Sequence, residues 1–378
     1  MSIVRPDDST AGPVPSPGIR LGIMGFGAVG RQIYELALDR PAFAVPVISD
    51  LGAPDILYQL LARDLPPGAC ALDGNHLSAP RFRTRMLRTD HPREVPWDAF
   101  AVDAVVDATG RFRTRADMQA HLDNGARRVL LGVLPQEPLD RLLIPGINEH
   151  EARLDDLRVS AGSATTAAMA LLLKVLGDRY PIVHASMTSV HAYTSDQSLQ
   201  DYAGPDYRRS RSGAENIIPN SSATPGWIER VLPAFAGKVC GYSLNVPVQR
   251  GSLLDLNLVF GTDGVTAADI NDTLRAAAAR MPTLIGIAED PIVSSDVIGC
   301  SQSLLFDIQA TMKAGRRIAK VLAWYETRGH ASRVLDVLEL YARLEATAAS
   351  ATASPSATSS PSASTSATVT TVVQGGAA

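Results

Sequence analysis

Cysteine is scarce in this chain, with three in 378 residues. Cys70, Cys240 and Cys300 are far apart and show no metal-ligand spacing, so no metal is expected. Isolated thiols of this kind suit a reducing compartment. Long apolar runs are missing too: none reaches the roughly 18 residues that span a bilayer, which leaves no membrane role. Nor is there an excess of positive charge. A net charge of -4 and a pI near 6.0 provide no basic field for nucleic acid or anionic lipid. The opening residues, MSIVRPDDSTAGPVPSPG, carry acids and prolines where a secretory leader has a basic start and an apolar stretch. The default compartment is the cytoplasm.

What is there suits a soluble α/β protein. At 46% hydrophobic and 20% charged residues, the length is enough for two cored domains. Residues 1–17 are polar and proline-rich, and residues 347–378 are almost wholly Ala, Ser, Thr, Pro, Val and Gly. Such compositions bury too little apolar surface to order themselves, and both ends read as disordered tails. Between them, Ile19 to Ile23 is a short apolar strand, followed by the glycine turn Gly25-Phe26-Gly27-Ala28-Val29-Gly30 and a helical pattern through Arg40. Further strands are expected at Phe43 to Ser49, Ala101 to Val106 and Val129 to Leu134. Strands alternating with helical stretches indicate parallel βαβ units in a doubly wound sheet. From Ser160 the texture changes. An alanine-rich helix precedes long strand-like runs at His184 to Ala192, Gly241 to Val246 and Leu253 to Phe260, which indicates a second, α+β domain with a mixed or antiparallel sheet. Trp324 to Ala346 is apolar on one face and suits a helix returning to the first domain.

The glycine turn is a candidate dinucleotide site. Gly25 permits the bend, Gly27 lets the backbone approach a pyrophosphate, and Gly30 lets the helix pack on the strand. The amides of Phe26, Gly27, Ala28 and Val29 then face the phosphates. Asp50 lies about 20 residues on, at the end of the next strand, where a carboxylate accepts from the ribose hydroxyls and repels a 2′-phosphate. NAD is therefore favoured over NADP. A turn-forming role for Asp50 is the alternative.

The segments LGIMGFGAVGR, VISD, DATGRF, NGARRVLL, PGIN, SVHAYT, ENIIP, VSSD and WYE resemble those of glyceraldehyde-3-phosphate dehydrogenases in order and spacing, over roughly residues 19 to 345. The resemblance implies an NAD-binding Rossmann domain over 18–160, a catalytic domain over 161–328 and a final helix, 329–346, packed on the first domain. It also implies a homotetramer whose loop around 194–216 reaches a neighbouring subunit. Thr109, Gly110, Gly132 and Thr327 would line the cofactor, Gly132 replacing a hydroxyl residue and Thr327 an asparagine.

The departures lie in the site. The family's nucleophilic cysteine belongs to a motif that here reads Ser160-Ala161-Gly162-Ser163-Ala164-Thr165-Thr166-Ala167, which puts Ala164 at the cysteine position. A methyl group forms no thioester. The family's histidine persists as His191, a candidate general base or acid, or else a histidine retained by packing. A phosphate-gripping arginine becomes Asn245, a Thr-Gly pair becomes Ser222-Ala223, and a threonine beyond Thr194 becomes Asp196, whose charge repels a phosphoryl group. These changes point to a neutral or cationic small-molecule substrate. Arg250 could restore positive charge or be a solvated turn residue, and Arg208, Arg209 and Arg211 read as loop and subunit contacts. Ser163 and Thr165 have no activating neighbour visible in the sequence.

Three functions fit. One is an NAD-dependent oxidoreductase of altered substrate in a specialised biosynthetic pathway, with His191 moving the proton and no covalent intermediate. Another is a catalytically inactive NAD-binding homologue acting through assembly or regulation. The third is a non-redox cyclase, isomerase or lyase that uses His191 in the vacated pocket. Phosphorylating dehydrogenase activity is excluded by the loss of the nucleophile.

Overall fold

The computed structural model describes residues 18–194 and 197–353. The tail assigned to residues 1–17, most of the one assigned to 347–378, and Asp196 lie outside the described residues.

The first sheet holds β1 (Ile19–Met24), β2 (Phe43–Asp50), β3 (Ala71–Asp73), β4 (His76–Ser78), β5 (Arg83–Arg88), β6 (Ala104–Asp107), β7 (Arg128–Leu131), β8 (Arg141–Leu142) and β9 (Arg158–Ser160). Their order across the sheet is β3-β4-β5-β2-β1-β6-β7-β9-β8. All pairings are parallel except β3 with β4 and β4 with β5. The helices α1 (Ala28–Asp39), α2 (Pro54–Ala62) and α3 (Arg115–Asp123) are crossover connections of this doubly wound sheet. Its strands are buried on both faces, with Leu21, Ile23, Val105, Val106, Val129 and Leu130 fully covered, as parallel sheets require.

Two strands are shorter than their apolar runs. β6 begins at Ala104 because Ala101 ends a 3-10 turn in the left-handed region, φ +49, and cannot continue a strand. β7 stops at Leu131, and the Gly132 amide makes a last bond to the end of β6, donating to the Asp107 carbonyl at 2.9 Å.

The second sheet comprises β10 (Ile182–Ala192), β11 (Ile218–Ser221), β12 (Val239–Val246), β13 (Ser252–Phe260), β14 (Ile285–Ala288), β15 (Leu304–Ala314) and β16 (Ile318–Tyr325), ordered β11-β12-β10-β13-β16-β15-β14. It is mixed: β10 with β12 and β14 with β15 are parallel, the rest antiparallel. Inward side chains such as Leu254, Leu256, Leu258, Ala319, Val321 and Ala323 alternate with less buried outward ones, among them Asp255, Asn257 and Lys320. They pack against α4 (Ala164–Gly177), α5 (Thr224–Val231) and α6 (Ala267–Arg280). α4 is apolar all round and buried from Thr165 through Leu173, the pattern of a central core helix.

The last helix, α7 (Thr327–Ala353), returns to the first domain. Ala331, Val334, Leu335, Leu338 and Tyr341 join the core beneath α1. Arg40 bridges to Asp336 at 2.7 Å and Arg328 to Glu35 at 2.7 Å. α7 continues to Ala353, beyond the boundary set at Ala346. Alanine has the highest helix propensity, and extending a formed helix needs no new nucleus. Thr347 and Ser350 also turn their hydroxyls onto the Arg343 and Ala346 carbonyls, both at 2.8 Å.

Candidate active site

The cofactor platform is built where β1 has β2 on one side and β6 on the other. Winding reverses at that point, and ligands of such sheets bind at the carboxyl ends of the strands. Gly25 leaves β1 with φ +88, and a Cβ there would come within 2.7 Å of the Thr109 amide. At Gly30 a Cβ would lie 2.0 Å from the Gly25 carbonyl oxygen, so turn and helix meet backbone to backbone. Gly27 caps α1 without a side-chain hydrogen bond, and the first turn carries no acid. Nothing lies within 4 Å of the place its Cβ would occupy. Amides of the first turn without a side-chain cap, beside open space at Gly27, fit a pyrophosphate. The Phe26 amide differs, since it donates to Asp50 Oδ2 at 2.6 Å, while Gly52 N donates to Asp50 Oδ1 at 2.8 Å. These bonds hold the carboxylate at the edge of the platform with acceptor capacity to spare for hydroxyls.

Thr109 and Gly110 are held from behind. Asp107, fully buried, accepts from Thr109 N at 2.9 Å and Thr109 Oγ1 at 2.6 Å. Its other oxygen meets His121 Nε2 at 3.2 Å, and His121 Nδ1 lies 3.1 Å from Trp97 Nε1. An indole N–H only donates, so His121 Nδ1 accepts and Nε2 carries the proton toward Asp107. The Gly132 carbonyl pairs with buried His330 Nε2 at 2.8 Å, tying α7 to the end of β7. Thr327, exposed at the start of α7, donates to Glu326 Oε1 at 3.2 Å.

The candidate substrate residues converge on the first turn of α4. Ser163 caps it, accepting from Thr166 N at 3.2 Å, and Ala164 is its first residue. Thr166 Oγ1 lies 2.8 Å from Ser163 Oγ and 3.2 Å from Thr224 Oγ1, which joins α4 to the start of α5. There Ser222 Oγ accepts from Thr224 N at 3.3 Å, and Ala223 is the N-cap. Thr165 Oγ1 lies 2.9 Å from Tyr325 OH, which is 3.4 Å from His191 Nδ1. Thr165 thus has a path to an imidazole through Tyr325, a neighbour that the sequence did not reveal. His191 Nε2 lies 2.6 Å from Ser189 Oγ. Burial pushes the ring down to about 4 and the Tyr325 phenol up to about 12. The imidazole is therefore neutral and the phenol protonated at neutral pH.

Asn245 faces the same side as His191, its register partner on β12. It donates to Gln197 Oε1 at 2.7 Å and accepts from Asn220 Nδ2. Gln197 Oε1 also accepts from Thr194 N at 3.2 Å. Arg250 is exposed at the surface but not free: its guanidinium pairs with buried Glu326 at 3.0 Å. Arg211 pairs with Asp201 at 2.8 Å within the loop, and Arg209 Nε donates to Asn220 Oδ1 on β11 at 3.2 Å. No thiolate is on hand. Burial pushes the thiols of Cys70 and Cys300 up, and Cys240 lies on the exposed outer face of β12.

Ser189, Gln197, Asn220, Thr224 and Tyr325 were not singled out from the sequence. The spacing of Ser189 and His191, two apart on a strand, already places them on one face. The others arrive from distant elements, and only the fold brings them in.

Family models match both halves of the chain: the glyceraldehyde 3-phosphate dehydrogenase NAD binding domain over residues 19–115 and the C-terminal domain over 163–327. A glyceraldehyde-3-phosphate dehydrogenase of Kitasatospora aureofaciens is 40% identical over 332 residues, covering 85% of this chain and 99% of the relative. Glyceraldehyde-3-phosphate dehydrogenase 1 of Bacillus subtilis is 34% identical, with 86% and 98% covered. The enzyme of Geobacillus stearothermophilus is 32% identical, with 84% and 97% covered. The chain therefore belongs to the glyceraldehyde-3-phosphate dehydrogenase family of NAD-binding oxidoreductases.

Proposed function

We propose that this family member is an NAD-dependent oxidoreductase that works without a cysteine thioester, on a substrate other than a phosphorylated triose, with His191 as general acid/base. The observation that carries this reading is Ala164, the first residue of α4, at the position where the resemblance puts the nucleophile. A methyl group there offers no covalent handle.

Bound at Gly25 to Gly30 and Asp50, NAD supplies a hydride acceptor. The chain's own part is proton transfer. His191, neutral because burial holds it near 4, takes the hydroxyl proton of an alcohol or aldehyde hydrate as the C–H hydride leaves. The hydroxyls of Ser189 and Tyr325 on its two nitrogens orient the ring, and one must yield to substrate. The same closed pairing favours a second reading, a catalytically inactive NAD-binding homologue in which His191 is a satisfied core group.

The two are separated by following NADH absorbance with NAD-loaded protein and a panel of non-phosphorylated alcohols and aldehydes, for wild type and His191→Asn. Turnover that falls about 100-fold or more in the variant supports the first reading. Bound NAD with no turnover on any compound supports the second.

A further inference from the structure

Glu326 stands at the joint where β16, ending at Tyr325, passes into α7, beginning at Thr327, so it links the second domain to the helix packed on the first. Its side chain is 3% exposed, and both carboxylate oxygens are occupied. Oε1 accepts from Arg250 Nε at 3.2 Å, from Arg250 Nη2 at 3.0 Å and from Thr327 Oγ1 at 3.2 Å. Oε2 accepts from Arg328 N at 2.8 Å, which caps the first turn of α7. Arg328 pairs its own guanidinium with Glu35 on α1 at 2.7 Å. From the loop ahead of β15 comes Cys300, whose thiol is pushed up by burial and further by the Glu326 charge. Among the described residues Arg250 is therefore the one cation paired with Glu326. Its turn between β12 and β13 is itself fixed: Gly251 has φ +81, and a Cβ there would lie 2.1 Å from the Ser294 carbonyl oxygen. One turn into α7, His330 Nε2 meets the Gly132 carbonyl at 2.8 Å. That carbonyl lies at the carboxyl end of β7, the edge of the first sheet that also carries Gly25 and Thr109.

We propose that Arg250 is a positioning residue for NAD, acting through Glu326 from outside the cofactor platform. The pair pins the first turn of α7 against the carboxyl ends of β1, β6 and β7, where Thr327 and Gly132 are expected to line the cofactor. An uncharged acceptor would serve the helix cap alone, and a buried carboxylate is costly, the more so once its cation is removed. Without Arg250 the carboxylate draws in a proton or water, and the turn that it caps shifts with it. The role depends on NAD binding alone and not on proton transfer by His191.

Calorimetric titration of the full-length protein with NAD between pH 6 and pH 8 tests this and needs no turnover, so its failure is separable from failure of the redox reading. Wild type should be flat across that range, since burial keeps His191 neutral and the Cys300 thiol protonated. Arg250→Met should weaken NAD about tenfold or more at pH 8 and regain affinity toward pH 6 as Glu326 takes up a proton. Arg250→Lys, which restores the charge without the two-point hold, should fall in between. Arg250→Met combined with Glu326→Gln carries no unpaired charge. It should fold as wild type does, show no pH dependence and recover most of the lost affinity. An Arg250→Met protein that binds NAD as wild type does, or a loss that is equal at pH 6 and pH 8, overturns the proposal. Should Arg250→Met not fold, a double variant that folds but binds NAD about tenfold more weakly than wild type overturns it as well.

Discussion

At the scale of single residues, His191 ties the chemistry to stability. Its ring, ordinarily near 6.5, is held near 4 by burial, so the folded state binds its proton less readily than the unfolded state. Stability from this residue is complete above pH 6.5 and is lost as pH falls from 6.5 through 4. At about 1.4 kcal/mol per pH unit the loss comes to about 3 kcal/mol. Urea unfolding of wild type and His191→Asn across that range checks this, and the variant should lack that part of the slope. Any reaction that uses the neutral imidazole as base should survive to pH 5 and fail on approach to 4. A second residue-scale case is Trp97. Replacing it by phenylalanine removes the donor that fixes the His121 tautomer and frees Nδ1 to compete for the proton. Because Asp107 then holds Thr109 less firmly, NAD affinity should fall severalfold with the second domain undisturbed, as calorimetric titration with NAD and near-ultraviolet circular dichroism would show.

At the scale of elements, the turn between β1 and α1 separates packing from binding. Gly27 has φ -68, open to any residue, and an empty surround. Gly27→Ala should leave stability within about 0.5 kcal/mol of wild type and weaken NAD by obstructing the pyrophosphate. Gly30→Ala drives a methyl group into the Gly25 carbonyl, 2.0 Å away, and should lower both melting temperature and NAD affinity. Thermal melts with and without NAD distinguish the two. This turn was legible in the sequence because its chemistry is local: a strand, three glycines and an acid one strand later. The proton-transfer site was legible only as His191 and the first turn of α4. Tyr325 comes from the end of β16 and Asn220 from β11, and the contacts they make at 134 and 25 residues' separation leave no periodic trace. The end of α7 was misjudged for a different reason. Composition tests whether a segment can fold alone, whereas Thr347 to Ala353 only extend a helix already anchored by Tyr341 and Arg128, whose guanidinium lies 4.0 Å from the Tyr341 ring.

At the scale of the whole molecule, the outer face of the second sheet leaves Tyr242, Met312 and Ile318 exposed at 51%, 56% and 45%. Apolar side chains gathered on one sheet face suit an interface between copies of the chain, in keeping with the expected homotetramer. Tyr242→Lys should lower the mass seen by light scattering behind size exclusion, while the protomer stays folded. The larger claim is that the family frame and its NAD platform are kept while the covalent step is not. The most direct measurement is the steady-state rate of purified, NAD-loaded protein with glyceraldehyde 3-phosphate and inorganic phosphate, beside Ala164→Cys. Loss of a covalent nucleophile costs on the order of a millionfold, so wild type should show no turnover above background. A wild-type rate in the ordinary enzyme range, about 1 per second or more, would contradict the account.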